Sequence, residues 1–219
     1  MNKEFCKTKC VVRLERQTEY RLVENMIRNA FWNLSVPGCD EHYLAHIMRQ
    51  HVDYIPELDF VLELDGQIIG NVKYVKAALV DENGEQKEIL SFGPICIHPQ
   101  YQRRGFSRIL LEHSFQKAIE LGYDLIVIYG NPNNYVSRGF KSCRRYNICV
   151  GNGIYPAALL VKELKPECLD GRKWFYQESA VYNFDSASAN EFDSLFEPKE
   201  KKILPSQEEF YIHSHSIMK

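Results

Sequence analysis

Hydrophobic residues along this chain follow two spacings, one typical of helices and the other of strands. A recurrence every three or four positions predicts amphipathic helices at 19–31, 40–49 and 106–121. Asp40 stands where the second helix would have its N-cap, and Gly122 follows the third helix as a C-terminal glycine. A shorter helix is expected between Asn131 and Phe140, starting at an Asn-Pro pair and stopping at a Gly-Phe pair.

Short runs of alternating or continuous hydrophobic residues predict strands. They lie at 11–15, 60–64, 67–79, 88–97, 125–129, 142–150 and 157–164. Asp65 and Gly66 join the second and third of these as a hairpin turn, and the run at 125–129 is apolar throughout, as in a strand covered on both faces. The order of elements predicts an α/β (α+β) fold, in which a mixed central sheet has a parallel central pair and is flanked by helices.

The character of the sequence changes after Lys165 and Pro166. Beyond this point we expect a strand at 174–182, an acidic helix at 187–196, a charged connector at 197–202 and a tail without strong periodicity at 203–219. This segment is too short for an independent core. We therefore predict one domain at 1–165 and a C-terminal extension at 166–219 that packs on it, and the extension is also a candidate for a homodimer contact.

Composition and charge argue against several partners and settings. The formal net charge is −2, so no overall positive field would attract nucleic acid or an anionic membrane. The first residues lack the apolar core of a signal peptide, and the longest apolar runs are too short to span a bilayer. Seven cysteines without regular spacing indicate reduced thiols and a cytoplasmic protein. Cys6 and Cys10 form a CxxxC without a second ligand pair, so ordinary small residues are favoured over zinc and no metal site is predicted.

The loop before the predicted helix at 106–121 has the features of an anion-binding site. A glycine at the start of a helix lets backbone N–H groups converge, and the helix end adds roughly half a positive charge. Arg103, Arg104 and Arg108 bring cationic donors to the same place. A P-loop is excluded because Phe106 directly follows Gly105, and a dinucleotide fingerprint would need three glycines. Taken alone, the loop is equally typical of a solvated basic turn.

The stretch 91–140 as a whole resembles the GNAT superfamily of acyl-CoA N-acyltransferases; it reads SFGPICIHPQYQRRGFSRILLEHSFQKAIELGYDLIVIYGNPNNYVSRGF. It contains the family's strand, its Q/R-x-x-G-x-G/A loop, the following helix and strand, and a Tyr-x-x-x-Gly-Phe ending. Gln102, Gly105 and Ser107 stand at the marked loop positions, although glycine or alanine is usual where this chain has Ser107. The resemblance covers roughly 11–164. It is closest to a bacterial branch with GPICIHP-like and GNPNNY-like segments and a C-terminal extension.

This resemblance implies a sheet whose parallel central strands splay apart to bind acetyl-CoA as the co-substrate. The backbone of Ile95, Cys96 and Ile97 would pair with the pantetheine arm as an added strand does. An N–H group near Ile97 would face the thioester oxygen and stabilise the oxyanion. Asn131 would lie beside the pantetheine. The pyrophosphate would be held by the loop that follows Gln102, through the amides of Arg103, Arg104, Gly105, Phe106, Ser107 and Arg108.

Tyr135 stands four residues before Gly139, where the family has its general acid. A departing CoA thiolate has a conjugate-acid pKa near that of cysteine, about 8.5, against about 10 for tyrosine, so proton transfer would be close to balanced. The alternative is that Tyr135 only packs under the cofactor. The implied reaction is acetyl transfer to an amine of a small molecule or a protein. A catalytically silent acyl-CoA sensor or interaction module, or an unrelated α/β domain with a basic turn, would be the alternatives.

The base that would accept the proton of the amine is not identified by the resemblance. Histone-acetylating relatives have a glutamate eleven residues before the loop glutamine, and this chain has Ser91 there. A chain of water molecules to bulk solvent would serve as well as a side chain. The candidate side chains are Glu63, Glu88, His42 and His98.

The acceptor is expected to bind over the first two predicted helices. His42 and His46 are one helical turn apart there, a spacing that could bind a metal, although polar residues lining a cleft are the favoured interpretation. His213 and His215 in the tail are expected to be surface residues. The other residues considered for the acceptor region are Cys39, Tyr43 and Glu57.

Overall fold

The computed structural model describes residues 9–219. Cys6, one of the two cysteines of the CxxxC, lies outside the described residues. The helices are α1 Tyr20–Phe31, α2 Glu41–Met48, α3 Phe106–Glu120, α4 Pro132–Tyr135, α5 Ser186–Asp193 and α6 Pro205–His215. The strands are β1 Cys10–Leu14, β2 Phe60–Leu64, β3 Gln67–Asp81, β4 Gln86–Ile97, β5 Leu125–Tyr129, β6 Lys141–Ser142, β7 Ile148–Cys149, β8 Tyr155–Pro156, β9 Leu159–Glu163, β10 Trp174–Gln177 and β11 Ile217–Met218.

The main sheet runs in the order β1-β2-β3-β4-β5-β9-β6. Neighbours along this path are antiparallel, except that β4 and β5 are parallel. Within the described chain β4 and β5 pair only at Leu90 and Ile126, so β4 leaves β5 as it continues to Ile97. This splay confirms the predicted fold class, a mixed sheet with splayed parallel central strands flanked by helices. It also opens a gap in the sheet beside residues 91–97.

Hydrophobic side chains cover both faces of this sheet. On one face, α3 buries Leu110 and Phe115 against β2, β3, β4 and β5. On the other face, α1 buries Val23 and Ile27 against β2, β3 and β4. Alternate residues of a strand point to opposite sides. In β5, Ile126 and Ile128 pack with α3, whereas Leu125 and Val127 pack in a second cluster with Cys143 and Trp174. This cover on both sides explains the continuous apolar run in β5.

Two expected strands are shorter in the structure than in the prediction. The strand predicted at 142–150 is interrupted by a 3-10 turn at Cys143–Tyr146, which leaves only β6 and β7. The strand predicted at 174–182 ends with β10 and is followed by a 3-10 turn at Ala180–Tyr182. Ser179 stops this second strand, because its hydroxyl accepts a hydrogen bond from the N–H two residues on, at 3.3 Å. Such local side-chain bonds compete with the hydrogen bonds of a sheet.

The tail, for which the sequence showed no periodicity, folds as α6 and β11. The hydrophobic residues 210–212 are consecutive and therefore face different sides of the helix, which removes the stripe that a periodicity argument needs. β11 pairs antiparallel with β8, with Ile217 opposite Pro156. His213 is half-buried, and its Nε2 atom lies 3.2 Å from the carbonyl oxygen of Gly130, so the expectation of a purely surface residue is wrong for it. His215 is exposed, as expected.

The C-terminal residues contact the preceding part of the chain at several places. β10 joins the far end of β3, with Trp174 opposite Asp81. α5 is fixed to α1 by Arg28, which is 2% exposed and whose Nε atom lies 2.6 Å from Asp193 Oδ1. The same guanidinium donates to the carbonyl oxygen of Glu197 at 2.9 Å. The division into a domain at 1–165 and an extension at 166–219 stays a prediction, and the name "extension" is kept below for residues 166–219.

A buried network of charges connects the sheet to α1 and α2. Lys73 on β3 is fully buried, and its Nζ atom lies 2.6 Å from Glu15 and 2.5 Å from Asp59. Arg49, directly after α2, binds the same Glu15 at 2.9 Å and Glu24 of α1 at 2.5 Å. Because the two carboxylates beside Lys73 are themselves buried, each charge in the network depends on its partners. The network thereby fixes the two helices over one face of the sheet.

Two further properties of the described residues concern membrane-spanning helices and cysteines. Within residues 9–219, no helix is both long enough and apolar enough to cross a lipid bilayer. The six cysteines in this range are free thiols. The cytoplasmic location stays a prediction.

Candidate active site

The loop between β4 and α3 is held in a shape that turns its backbone toward solvent. Gly105 has a φ of +87°, which suits glycine, and Arg103 takes the same left-handed region at +61°. The side chain of Gln102 donates from Nε2 to the carbonyl oxygen of Ile97 at 3.0 Å and so ties the loop to the end of β4. This bond explains why the loop begins with a glutamine.

The backbone amides of this loop form an anion-binding cradle. In the described structure the N–H groups of residues 103–107 donate to no backbone or side-chain acceptor, whereas the next amide, of Arg108, already donates to the carbonyl oxygen of Gly105 at 3.0 Å. These free donors lie at the N-terminus of α3, a helix of 15 residues, where the helix dipole adds partial positive charge. A phosphate or pyrophosphate is the chemical group that this arrangement fits.

A cleft of about 520 Å³, named the loop cleft here, runs from the cradle along the free edge of β4 to α4. It brings together most of the residues that the sequence singled out: Ile95, Cys96, Ile97, Gln102, Arg103, Gly105, Phe106, Ser107 and Tyr135. The splay of β4 from β5 exposes that edge. An extended chain can therefore bind to the strand here as an additional strand would.

Three predicted cofactor residues do not line the loop cleft. The guanidinium of Arg104 lies over the ring of Tyr101, 5.7 Å from its centre. Arg108 forms an exposed ion pair with Glu112 at 2.6 Å. Asn131 caps α4, since its side chain accepts from the N–H two residues on at 3.0 Å. These contacts give each of the three a local structural role, and their contacts to a cofactor stay predictions.

A second cleft of similar volume, about 520 Å³, continues from the first and is named the inner cleft. Its walls come from α1, α2, β4, the end of β5 and the extension. Both clefts are lined by the edge of β4 and by Tyr135, so this tyrosine stands at their junction. The residues that line only the inner cleft include Phe31, Leu34, Glu41, Leu44, Ser91, Tyr129, Glu178, Tyr182 and Phe210.

Tyr135 is positioned by aromatic packing. Its ring lies 5.8 Å from that of Phe92 and 5.6 Å from that of Phe140, measured between ring centres. Its hydroxyl makes no hydrogen bond to another part of the described chain. Burial raises the pKa of Tyr135 to about 12. The hydroxyl therefore stays protonated at neutral pH and is free to donate into the junction of the clefts.

Gly130 makes room for this tyrosine. A Cβ atom at position 130 would lie 2.6 Å from Cε2 and 2.8 Å from Cδ2 of Tyr135, closer than non-bonded carbons approach. We expect Gly130→Ala to move the ring and to lower the turnover number by about tenfold or more, because a displaced hydroxyl no longer meets the reacting atoms. Crystallography of the variant would show the displaced ring. Gly84→Ala has nothing near its added Cβ but strains the backbone, because Gly84 has a φ of +85°; as a control it should lose some stability and retain the turnover number.

None of the four bases considered from the sequence lines either cleft. Glu63 forms an ion pair with Arg13 at 2.8 Å, and Glu88 forms one with Lys76 at 3.1 Å on the exposed surface. His98 lies on the outer side of the loop, where its Nδ1 accepts from a nearby N–H at 3.3 Å. These three side chains therefore make other contacts and do not reach the junction of the two clefts.

His42, the fourth candidate, is fully buried beneath the extension. Its ring centre lies 5.1 Å from that of Phe196, and burial lowers its pKa to about 4. It is a neutral histidine between α2 and the extension, with its Nε2 atom 3.0 Å from Asp193 Oδ1. Cys39 lies beside it, with Sγ 3.5 Å from its Nδ1. Within residues 9–219, no group of three or more possible metal ligands is found.

The other expected acceptor residues are also placed elsewhere. Tyr43 and His46 line a separate cavity between α2 and α5. Glu57 lies in a 3-10 turn, Pro56–Leu58, and lines neither cleft. The expectation that the acceptor region lies over the first two helices fits the inner cleft through Ala30 and Phe31 of α1 and Glu41 and Leu44 of α2.

Two carboxylates that the sequence argument missed line the inner cleft, Glu41 and Glu178. Burial raises the pKa of Glu41 to about 7 and that of Glu178 to about 6. Glu41 starts α2, and its Oε2 accepts from the N–H of Asp40 at 3.1 Å. Asp40 itself precedes the helix as predicted but makes no side-chain cap. Glu178 follows directly after β10, two residues beyond Tyr176, and its place in the predicted strand at 174–182 is the sequence signal that could have pointed to it.

The splayed mixed sheet and the anion cradle at the start of α3 are the features that the resemblance to the N-acyltransferases implies. The model of the acetyltransferase (GNAT) family matches residues 25–141, which is more than half of the chain. The chain belongs to the GNAT acetyltransferase family, and the resemblance inferred from its motifs is confirmed.

Known proteins similar to this chain support the same assignment. The uncharacterised N-acetyltransferase YhbS of Escherichia coli K12 is 26% identical over 163 residues, which cover 74% of this chain and 91% of that protein. The crystal structure of Escherichia coli YhbS in complex with CoA has a TM-score of 0.71 at 21% identity, covering 84% of this chain and 97% of that one. A GNAT acetyltransferase of Brucella melitensis, in complex with acetyl-CoA, has a TM-score of 0.61 at 18% identity, with 80% and 98% covered. These structures share the fold.

Proposed function

We propose that this chain is an acetyl-CoA-dependent N-acetyltransferase that transfers the acetyl group to a primary amine. The observation that carries the proposal is the meeting of two clefts at Tyr135, one of which ends in the amide cradle. One cleft then accommodates the donor and the other the acceptor, and the reacting atoms meet beside the tyrosine. Membership of the family and the complexes of similar proteins with CoA and acetyl-CoA support this division.

The loop cleft fits acetyl-CoA in its parts. The free amides of residues 103–107 would hold the pyrophosphate, with the side chain of Arg103 as a further donor. The exposed edge of β4 at Ile95, Cys96 and Ile97 would pair with the amide groups of the pantetheine arm. Bound there, acetyl-CoA supplies an activated thioester. A backbone N–H near Ile97 would stabilise the charge that develops on the thioester oxygen.

Tyr135 would act on the sulfur that leaves. Its pKa of about 12 is higher than the ordinary value for tyrosine, so proton transfer to the CoA thiolate is less favourable than the ordinary values suggest. Transfer to a thiolate with a conjugate-acid pKa of about 8.5 is uphill by about 3.5 units, or roughly 5 kcal/mol. The first contribution of Tyr135 is therefore a hydrogen bond to the sulfur. Full proton transfer follows as the C–S bond breaks, because the same apolar surroundings raise the pKa of the thiol as well.

The inner cleft fits an amine that carries an apolar group. Its walls are mainly aliphatic and aromatic, and Glu41 and Glu178 supply negative charge. A primary amine is mostly a cation at neutral pH, since its pKa is about 10. Carboxylates in an apolar cleft would attract that cation. A screen of amines distinguishes a small-molecule amine from an amine of a protein.

Binding of acetyl-CoA is tested by isothermal titration with a cradle variant. In Ser107→Glu, a negative charge would stand among the amides that hold the pyrophosphate. We expect the Kd for acetyl-CoA to rise about 30- to 100-fold, or ~2–3 kcal/mol. Ser186→Glu places the same charge in the first turn of α5, away from both clefts, and should leave the Kd unchanged. Equal affinity of all three proteins would contradict this placement of the cofactor.

The reaction itself is tested by release of CoA in a panel of amines. The panel should contain aliphatic and aromatic primary amines, aminoglycosides and peptides with a free α-amine or lysine. Turnover that depends on both acetyl-CoA and the amine supports the proposal. The alternative function, a catalytically silent acyl-CoA sensor, predicts binding of acetyl-CoA and no turnover with any amine. Absence of binding even at about 1 mM ligand would exclude both functions.

A further inference from the structure

The inner cleft has no carboxylate on β4 where the family resemblance would place a base. Ser91 occupies that position, is 3% exposed and is the first residue of β4 beyond its pairing with β5. The hydroxyl of Tyr182, from the extension, lies beside Ser91 and donates to the carbonyl oxygen of Gly93 at 3.5 Å. The short serine side chain therefore leaves space that the extension fills.

Glu178 enters the inner cleft from the same part of the extension. Trp174 and Tyr176 of β10 are buried in the core, and Glu178 follows directly after the end of this strand. The buried Ser179 fixes the backbone directly after it, because its hydroxyl donates to Asp53 Oδ2 at 2.6 Å. The backbone next to Glu178 is thereby fixed, and the Glu178 side chain is exposed and accessible from the cleft.

The surroundings of Glu178 set it apart from the structural carboxylates. Glu15, Glu24 and Asp59 are all bound by lysine or arginine. In the described part of the chain, Glu178 forms no ion pair. The other ionisable side chains that line the inner cleft are Glu41, Cys96, Tyr129, Tyr135 and Tyr182, and Tyr176 precedes Glu178 on β10. A smaller cavity on its other side has Asp53, which is bound to Ser179, and the mutually paired Lys76 and Glu88.

We propose that Glu178, contributed by the C-terminal extension, is the general base that accepts the proton of the attacking amine. This inference rests on the proposed function. The ammonium group of the bound amine first loses one proton to solvent, which frees the nitrogen lone pair. That lone pair forms the C–N bond to the thioester carbon, and a proton of the resulting N–H₂⁺ group passes to the Glu178 carboxylate, directly or through one water. The C–S bond breaks with its electron pair going to sulfur, which takes a proton at the Tyr135 hydroxyl. Solvent returns the proton from Glu178 to Tyr135, so that the amide and CoA are the products.

The acidity of the group agrees with this role. Burial raises the pKa of Glu178 to about 6, which makes its carboxylate a stronger base than an ordinary glutamate and leaves it ionised at neutral pH. Glu41, the other carboxylate of the cleft, has its Oε2 engaged by a backbone N–H. We assign to Glu41 the binding of the cationic amine. Substitutions of Glu41 and Glu178 should therefore have different kinetic effects.

Glu178→Gln tests the assignment because it keeps the shape of the side chain and removes the proton acceptor. The assay uses whichever amine of the panel the wild type acetylates best. We expect kcat to fall about 10²- to 10⁴-fold, while the Kd for acetyl-CoA stays within about twofold. Glu178→Asp should restore part of the rate. Glu191→Gln, on the exposed side of α5, is the matched control and should keep full activity.

The pH profile of kcat separates a base from a structural residue. In the wild type, kcat should fall as pH drops below about 6, because protonated Glu178 accepts no proton. Glu178→Gln should lose this acidic limb, whereas Glu41→Gln should retain it and raise the KM for the amine. Loss of the limb in Glu41→Gln, or an unchanged kcat in Glu178→Gln, overturns the base assignment and leaves the proposed function standing. Absence of wild-type turnover with every amine overturns both.

Discussion

Tyr135→Phe is expected to lower kcat by about 10²- to 10⁴-fold while leaving the Kd for acetyl-CoA within about threefold. The phenylalanine ring keeps the packing against Phe92 and Phe140, so the shape of the junction is preserved. What is lost is the hydroxyl that would donate to the leaving sulfur. Kinetics with a saturating amine and titration with acetyl-CoA measure the two effects separately.

The pKa of Tyr135 adds a second observable. Since burial raises it to about 12, the hydroxyl stays protonated, and kcat should show no fall up to about pH 10, the ordinary pKa of a tyrosine. Tyr155→Phe is the matched control, because it also removes one hydroxyl, which there donates to Asn147 at 2.7 Å, far from both clefts. A kcat of Tyr135→Phe equal to that of the wild type would leave Tyr135 with only the packing role.

Lys73→Met is expected to lower the free energy of unfolding by about 3–5 kcal/mol, the cost of leaving buried charges without their partner. Glu15 and Asp59 would lie next to each other with no ammonium group between them. Methionine fits the volume of the lysine stem, so the loss reports charge rather than packing. Urea denaturation followed by circular dichroism measures the change.

Lys76→Met provides an internal control for this result. Lys76 is on the same strand, but its ion pair with Glu88 is exposed, with 42% and 55% of the two side chains accessible. Exposed ion pairs contribute at most about 1 kcal/mol. If both lysine variants lost the same stability, the buried network would not be what fixes α1 and α2 over the sheet.

Much of the fold could be predicted because its signals are local. The hydrophobic spacing of α1, α3 and β5 reflects one element packing on its neighbours. The loop from Gln102 to Ser107 could also be recognised, because its amides, its glycine and the helix that follows are adjacent in the sequence. Where the sequence argument was wrong, local chemistry competed with the pattern, as in the 3-10 turn that Ser179 stabilises, or the pattern was absent, as in α6.

The acceptor side could not be predicted in the same way. The inner cleft is formed by α1, α2, β4, β5 and the extension, which lie far apart in the sequence. Of the bases considered, Glu63 and Glu88 are bound to cations on the surface. A glutamate in a sequence does not show whether its carboxylate faces a cation, solvent or a cleft, because burial and pairing depend on non-local contacts.

The amino-acid sequence by itself determined the family, the mixed sheet and the anion-binding loop, because each depends on residues that are neighbours along the chain. Only the tertiary structure decided that Tyr135 stands between two clefts and that the extension brings Glu178 toward Ser91. It also decided that the buried charge of Lys73 is compensated by Glu15 and Asp59. These features arise where the splay of β4 from β5 opens the sheet and distant segments close around the gap. Their energies depend on desolvation and on pairs of charges that only the folded chain brings together.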